Sequence, residues 1–145
     1  MTYNQLIKYL TDLLQSHAMI KSVENQSPQE WFGVTTRDIQ FPVACFTSGS
    51  GSLNKGQLQN YNVTFWFLDK SGQEGLFEKD VVSDQHGIAY DIITRARVED
   101  QPWIVPDDIN FDVAFGQFED YISGVTLTID LETNSNFTAC DMPLQ

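Results

Sequence analysis

The stretch Asn60-Tyr61-Asn62-Val63-Thr64-Phe65-Trp66-Phe67 decides the fold. Tyr61, Val63, Phe65 and Phe67 alternate with Asn60, Asn62, Thr64 and Trp66, the two-residue period of a strand with one buried face. Upstream, Ile39, Phe41, Val43 and Cys45 alternate with Gln40, Pro42, Ala44 and Phe46, a second strand in which Pro42 favours an edge or a bulge. Between the two lies Thr47-Ser48-Gly49-Ser50-Gly51-Ser52-Leu53-Asn54-Lys55-Gly56, small and polar, which reads as a flexible connection. The pair therefore predicts a long β-hairpin.

Working outward, Thr2-Tyr3-Asn4-Gln5 is a capping-box pattern. Tyr3, Leu6, Ile7, Leu10, Leu13 and Leu14 follow at helical spacing, so an amphipathic helix is expected to about His17. Ile20 to Glu24 is expected as a short strand, Asn25 to Pro28 as a loop, and Trp31 to Thr36 as extended. After the hairpin, Lys70 to Gly75 reads as a turn. A second helix presents Phe77, Val81, Ile88, Ala89, Ile92 and Ala96 on one face. Glu78 and Asp80 near its start and Arg95 and Arg97 near its end suit the helix dipole, while Gly87 interrupts its middle. Two last strands alternate as Ile109, Phe111, Val113, Phe115 and as Val125, Leu127, Ile129, Leu131. The turn joining them falls near Phe118 to Ser123.

The order α-β-β-β-α-β-β predicts an α+β domain: an antiparallel sheet of four to five strands with both helices on one face. At 145 residues a single domain suffices, and such a chain buries about two-thirds of its unfolded surface without a metal or disulfide staple. The domain is expected over 1-131, with 132-145 a polar C-terminal tail.

Charge narrows the function classes. Eight basic residues face 20 acidic ones, a net −12, and Arg97 is the last cation. A surface of that sign repels phosphate and argues against sequence-independent nucleic-acid binding. No signal-peptide pattern or membrane-length apolar run is visible, so synthesis and folding in a cytoplasm are expected. Cys45 and Cys140 then read as buried thiols.

Catalytic and cofactor chemistry finds no motif. His17, His86, Cys45 and Cys140 share no metal-ligand spacing, and Glu99-Asp100 with Asp107-Asp108 lacks the alternating pattern of a calcium loop. Ser83, Asp84 and His86 point in different directions on one helix, and no nucleophile elbow exists. The Ser-Gly run lacks the Gly-Lys-Ser/Thr ending of a phosphate loop. No catalytic, cofactor or metal residues are therefore expected. The surplus lies in aromatics: Trp66 and Phe46 fall on otherwise polar strand faces, and Trp31 and Trp103 in irregular segments. Trp31, Trp66 and Trp103 are the candidate aromatic interface.

The layout resembles bacteriophage head–tail connector, tail-completion and tail-terminator ring proteins, in the style of neck-ring proteins of crAss-like phages. The matching parts are the helix Thr2 to His17, the hairpin Ile39 to Leu68, the helix Leu76 to Arg97, and the strands Ile109 to Gln117 and Ile122 to Leu131. The resemblance is topological and brings no catalytic residues. It implies a structural virion protein, made in the host cytoplasm and resident in the neck or tail. The subunit would form a six- or twelve-fold ring between portal and tail, contact other neck, portal and tail proteins, and pass DNA without binding it or any membrane.

Within that frame the hairpin residues Ser48, Gly49, Ser50, Gly51, Ser52, Leu53, Asn54 and Lys55 are the candidate subunit-contact loop. Asp107, Asp108, Glu119 and Asp120, in turns flanking the last two strands, are the candidate acidic lumen residues. Screening over about 8 Å requires such carboxylates to lie near the channel to act on DNA. The alternatives are an acidic DNA-mimic inhibitor and a small cytoplasmic ligand-binding or enzymatic α+β domain.

Overall fold

The computed structural model describes residues 3–28, 40–53, 58–71, 78–98, 104–106, 108–118 and 122–134. Along the chain they form helix α1 (Tyr3–Gln15), strands β1 (Ser22–Glu24), β2 (Val43–Leu53) and β3 (Leu58–Lys70), helix α2 (Glu78–Val98), and strands β4 (Phe111–Phe118) and β5 (Ile122–Asn134). The strands make one sheet in the order β1-β2-β3-β5-β4. The protein is thus α+β, with the expected element order and a mostly antiparallel sheet.

One pairing departs from the all-antiparallel expectation. β1 runs parallel to β2, with Ser22 opposite Val43 and Glu24 opposite Cys45. The chain between them is long enough to reverse twice, whereas a tight hairpin turn would impose the antiparallel sense.

Both helices cover the same sheet face. Leu6, Leu10, Leu13 and Leu14 of α1 are buried with Ile88, Ala89, Ile92, Ile93 and Ala96 of α2 against Ala44, Phe46, Val63, Phe65, Phe67, Val125, Leu127, Ile129 and Leu131. The apolar alternation of β3 and β5 faces this layer. Phe46 and Phe65 stand directly opposite each other, with ring centroids 6.4 Å apart, and Phe65 stacks on Phe67 at 6.2 Å. Each fully buried Phe of this row contributes roughly 1.5–3 kcal/mol by leaving water.

The register corrects the reading of β2. Ala44 and Phe46 point into the core, and Val43 and Cys45 point to the other face. Phe46 is therefore not a surplus aromatic but a central core residue. Periodicity could not choose the face because β2 is apolar on both: Val43, Cys45, Leu68 and Ile122 make a second, smaller buried cluster on the side away from the helices. Gln40 to Pro42 precede the strand, and the Phe41-Pro42 peptide is cis.

Two further boundaries differ from expectation. Ser48 to Leu53 are not a loop; they continue β2 and pair with β3 as far as Leu53 opposite Gln59. A ladder is made by main-chain groups, and the 13-residue partner strand supplies a full set, so small side chains do not prevent pairing. The register shifts between Ser48 and Ser50, which leaves Gly49 as the extra residue of a bulge. Likewise, Glu132 to Asn134 are not tail. They pair with Asn60, Gln59 and Leu58, so the domain runs through Asn134, and 135–145 lie outside the described residues.

Candidate functional site

The candidate residues that are described do not gather at one place. Trp66 lies on the face away from the helices, half-buried beside Val43, Cys45, Leu68, Ile122 and Phe41. Asp108 is exposed just before β4. Ser48 to Leu53 lie in β2, two strands removed from β4 in the sheet. Asn54, Lys55, Trp31, Trp103, Asp107, Glu119 and Asp120 lie outside the described residues.

Two surfaces nevertheless stand out. The first is the sheet face opposite the helices. At one end it is apolar, and Lys70 Nζ sits 5.3 Å from the centre of the Phe41 ring, a cation–π contact. Toward the other end it becomes a ladder of short polar side chains. Asn60 Nδ2 donates to Ser52 Oγ at 3.3 Å, Asn62 Nδ2 donates to Asp130 Oδ1 at 2.9 Å, and the Thr64 and Thr128 hydroxyls lie 3.5 Å apart. Direct cross-strand pairing sets these contacts, because partners opposite each other share a face. Asp112, opposite Thr126, and Glu132, opposite Asn60, share that face with Asp130. The sequence read Asn62 and Thr64 only as the polar side of a strand; the cross-strand register needed to join them to Asp130 and Thr128 is a long-range property.

The second surface is the flank where α2 meets the edge strand β4. A groove of about 220 Å³ is lined by His86, Tyr90, Ile93, Arg97, Ile109 and Phe111 among others. The His86 ring contacts Phe111 with centroids 4.7 Å apart, and Arg97 Nη2 donates to the Pro106 carbonyl at 2.8 Å. Among the described residues, four of the seven exposed large apolar side chains fall on α2 or β4: Tyr90, Val98, Phe111 and Val113. Tyr90 is 67% and Val98 80% exposed, far above what a helix packed on all sides would leave. The sequence signal for Tyr90 and Val98 was their position off the apolar stripe of α2, which composition treats as incidental.

One carboxyl is electrostatically perturbed. Burial at the end of β3 pushes Asp69 above the ordinary carboxylate range, opposed by the Lys70 N–H bonded to it, reinforced by the charge of Asp84, and opposed again by the Lys70 charge. Close by in the fold, Ser123 Oγ donates to Ser71 Oγ at 3.2 Å, and both serines are fully buried. Neither described histidine is bonded to this group: His17 pairs with Asp91 and His86 contacts Phe111.

Among the described residues no three His, Cys, Asp or Glu side chains converge as a metal site. No helix among them is long and apolar enough to cross a membrane. The chain matches no protein-family model and no curated protein sequence.

Proposed function

We propose that this protein is a structural virion subunit that assembles into a ring in a bacteriophage neck or tail, joins portal to tail and lines the DNA channel. The observation that carries the reading is the flank of α2 and β4, where the exposed Tyr90 shares one groove with Phe111 and another with Val98. Exposed apolar side chains that are scattered singly need no explanation, but a shared flank marks a protein contact. The α-β-β-β-α-β-β layout supports the phage assignment by its resemblance to connector and tail-terminator subunits. The net charge of −12 suits a channel protein that DNA must pass without sticking. Closed rotational symmetry would repeat each carboxylate once per subunit, and Asp108 beside β4 is the described lumen candidate.

A small-molecule function has less support: among the described residues the grooves, of about 220 to 510 Å³, are open to solvent, whereas a ligand pocket of roughly 300–1,000 Å³ buries most of its ligand. Native mass spectrometry and electron microscopy of the purified protein test the proposal. A single cyclic species of six or twelve copies is the expected result. A monomer at tens of micromolar would overturn the ring, and a monomer that inhibits a nucleic-acid enzyme would establish the acidic mimic instead.

A further inference from the structure

The flank where α2 meets β4 combines an open strand edge with a groove. β4 ends the sheet, and among the described residues only β5 pairs with it. From Phe111 to Ala114 that pairing is regular, so alternate residues direct their N–H and C=O groups away from β5. The strand contains neither proline nor lysine, which commonly protect an edge, and Phe111, Asp112 and Val113 are exposed. Phe111 and Val113 stand opposite the core residues Leu127 and Val125, which puts both on the helix side of the sheet. Two adjoining grooves lie there and share His86 and Phe111. The first, of about 220 Å³, is lined by buried Ile93, Val125 and Leu127 and by exposed His86, Tyr90 and Phe111, and one large side chain would fill it. The second, of about 300 Å³, continues to the exposed Lys79. Among the described residues neither groove is lined by Asp or Glu, in a chain of 20 acidic and eight basic residues.

We propose that this flank binds an extended, acidic segment of a different protein by strand addition. The segment pairs with Phe111 to Ala114, seats one large apolar side chain between His86, Tyr90 and Phe111, and sets a carboxylate at Lys79. A strand added to β4 lies about 4.8 Å beyond it, and its alternate side chains project on the helix side, over the groove. Main-chain bonds then supply affinity, while the groove and Lys79 select the side chains. Arg97, which bonds the Pro106 carbonyl, is not required. A second copy has no matching strand to give. β1 covers β2 only from Val43 to Cys45, and the open remainder, Phe46 to Leu53, carries no carboxylate. β4 itself carries one, Asp112, on the side of the sheet away from Lys79. The inference rests on reading this flank as a protein contact and specifies the chemistry of the partner.

Fluorescence anisotropy with a labelled nine-residue peptide tests the contact. Threonine fills its even positions, and glutamate, valine, phenylalanine, valine and glutamate fill the odd ones in that order. Saturable binding is expected. Replacing the phenylalanine by serine, both glutamates by lysine, or the threonines by proline should each weaken it at least about tenfold. Lys79→Glu and Phe111→Ala change exposed side chains and should do the same, while Lys8→Glu, exposed on α1, should bind like the parent. The lysine-ended peptide should bind Lys79→Glu more tightly than it binds the parent. Thermal melts check that the variants fold, and where one does not, the peptide series on the parent decides. No saturable binding, or binding indifferent to the phenylalanine and the glutamates, would overturn the contact. Affinity that falls as the protein is concentrated would show a second copy on the flank and overturn the different protein as occupant. A monomer that binds the peptide would remove the ring and keep this contact; a ring that does not bind it would keep the ring and remove the contact.

Discussion

His17 Nε2 lies 2.9 Å from Asp91 Oδ2 and ties the chain just beyond α1 to the middle of α2. The backbone N–H of Met19 donates to the other ring nitrogen, Nδ1, at 3.1 Å. An N–H donor at Nδ1 requires a lone pair there, so the proton sits on Nε2 and is donated to Asp91. Both helices pack into one core against the sheet, and this bond adds a polar tie between them. A double-mutant cycle with His17→Ala and Asp91→Ala, followed by urea denaturation, should return a coupling of about 0.5–1.5 kcal/mol. Additive single effects would show that the bond is not holding the helices together.

Asp69 makes a pH-dependent contribution whose sign is opposite to that of a paired carboxylate. Its folded-state pKa is raised, chiefly by burial. Below the ordinary carboxylate range it is protonated in both states and costs nothing. As pH rises from that range to the raised value, the unfolded chain loses the proton first, and the folded protein loses stability. Above the raised value the penalty is complete. Asp69→Asn removes the ionisation and keeps an acceptor for the Lys70 N–H. The variant should therefore gain on the parent between pH 3 and pH 7, read as a growing difference in urea midpoint. A difference that stays constant over that interval would show that the carboxyl does not titrate abnormally.

The Phe46, Phe65 and Phe67 row is the mechanical centre of the core, so Phe65→Ala should be among the costliest single substitutions, about 3–5 kcal/mol. Trp66, its neighbour in sequence, occupies the other face and is half-buried. Trp66→Ala should leave the isolated domain folded with a smaller loss. Comparable losses at both positions would mean that the two faces of β3 are equally buried.

What was legible in the sequence followed from periodicity where one face is polar. Asn60 to Phe67 named both a strand and its buried side, and the leucines of α1 named its packed stripe. Periodicity failed where both faces are apolar, as in β2, where Phe46 was assigned to the wrong side. Composition failed at Ser48 to Leu53, because a pairing partner 13 residues long outweighs the weak strand propensity of Ser and Gly. The parallel pairing of β1 and the ladder joining Asn62 to Asp130 depend on residues far apart along the chain, which no local pattern encodes. The candidate contact surface was invisible for the same reason: Tyr90 and Phe111 become neighbours of one groove only after β4 is placed at the sheet edge.

Two glycines separate the strand reading of Ser48 to Leu53 from the loop reading. A Cβ added at Gly51 would collide with the carbonyl oxygen of Asn60, because the paired strands approach closely there. In a flexible connection the same methyl would be harmless. Gly51→Ala should therefore destabilise the protein by about 1–3 kcal/mol, the usual cost of forcing an extra methyl into packed structure. Gly87 is the control: it is exposed in the middle of α2, with nothing within 4 Å of an added Cβ. There the same substitution removes a residue that disfavours helix, so Gly87→Ala should stabilise by about 0.5–1 kcal/mol. Thermal and urea unfolding of both variants should give opposite signs. A neutral Gly51→Ala would return Ser48 to Leu53 to the status of a loop, and with it the hairpin as a mobile contact arm.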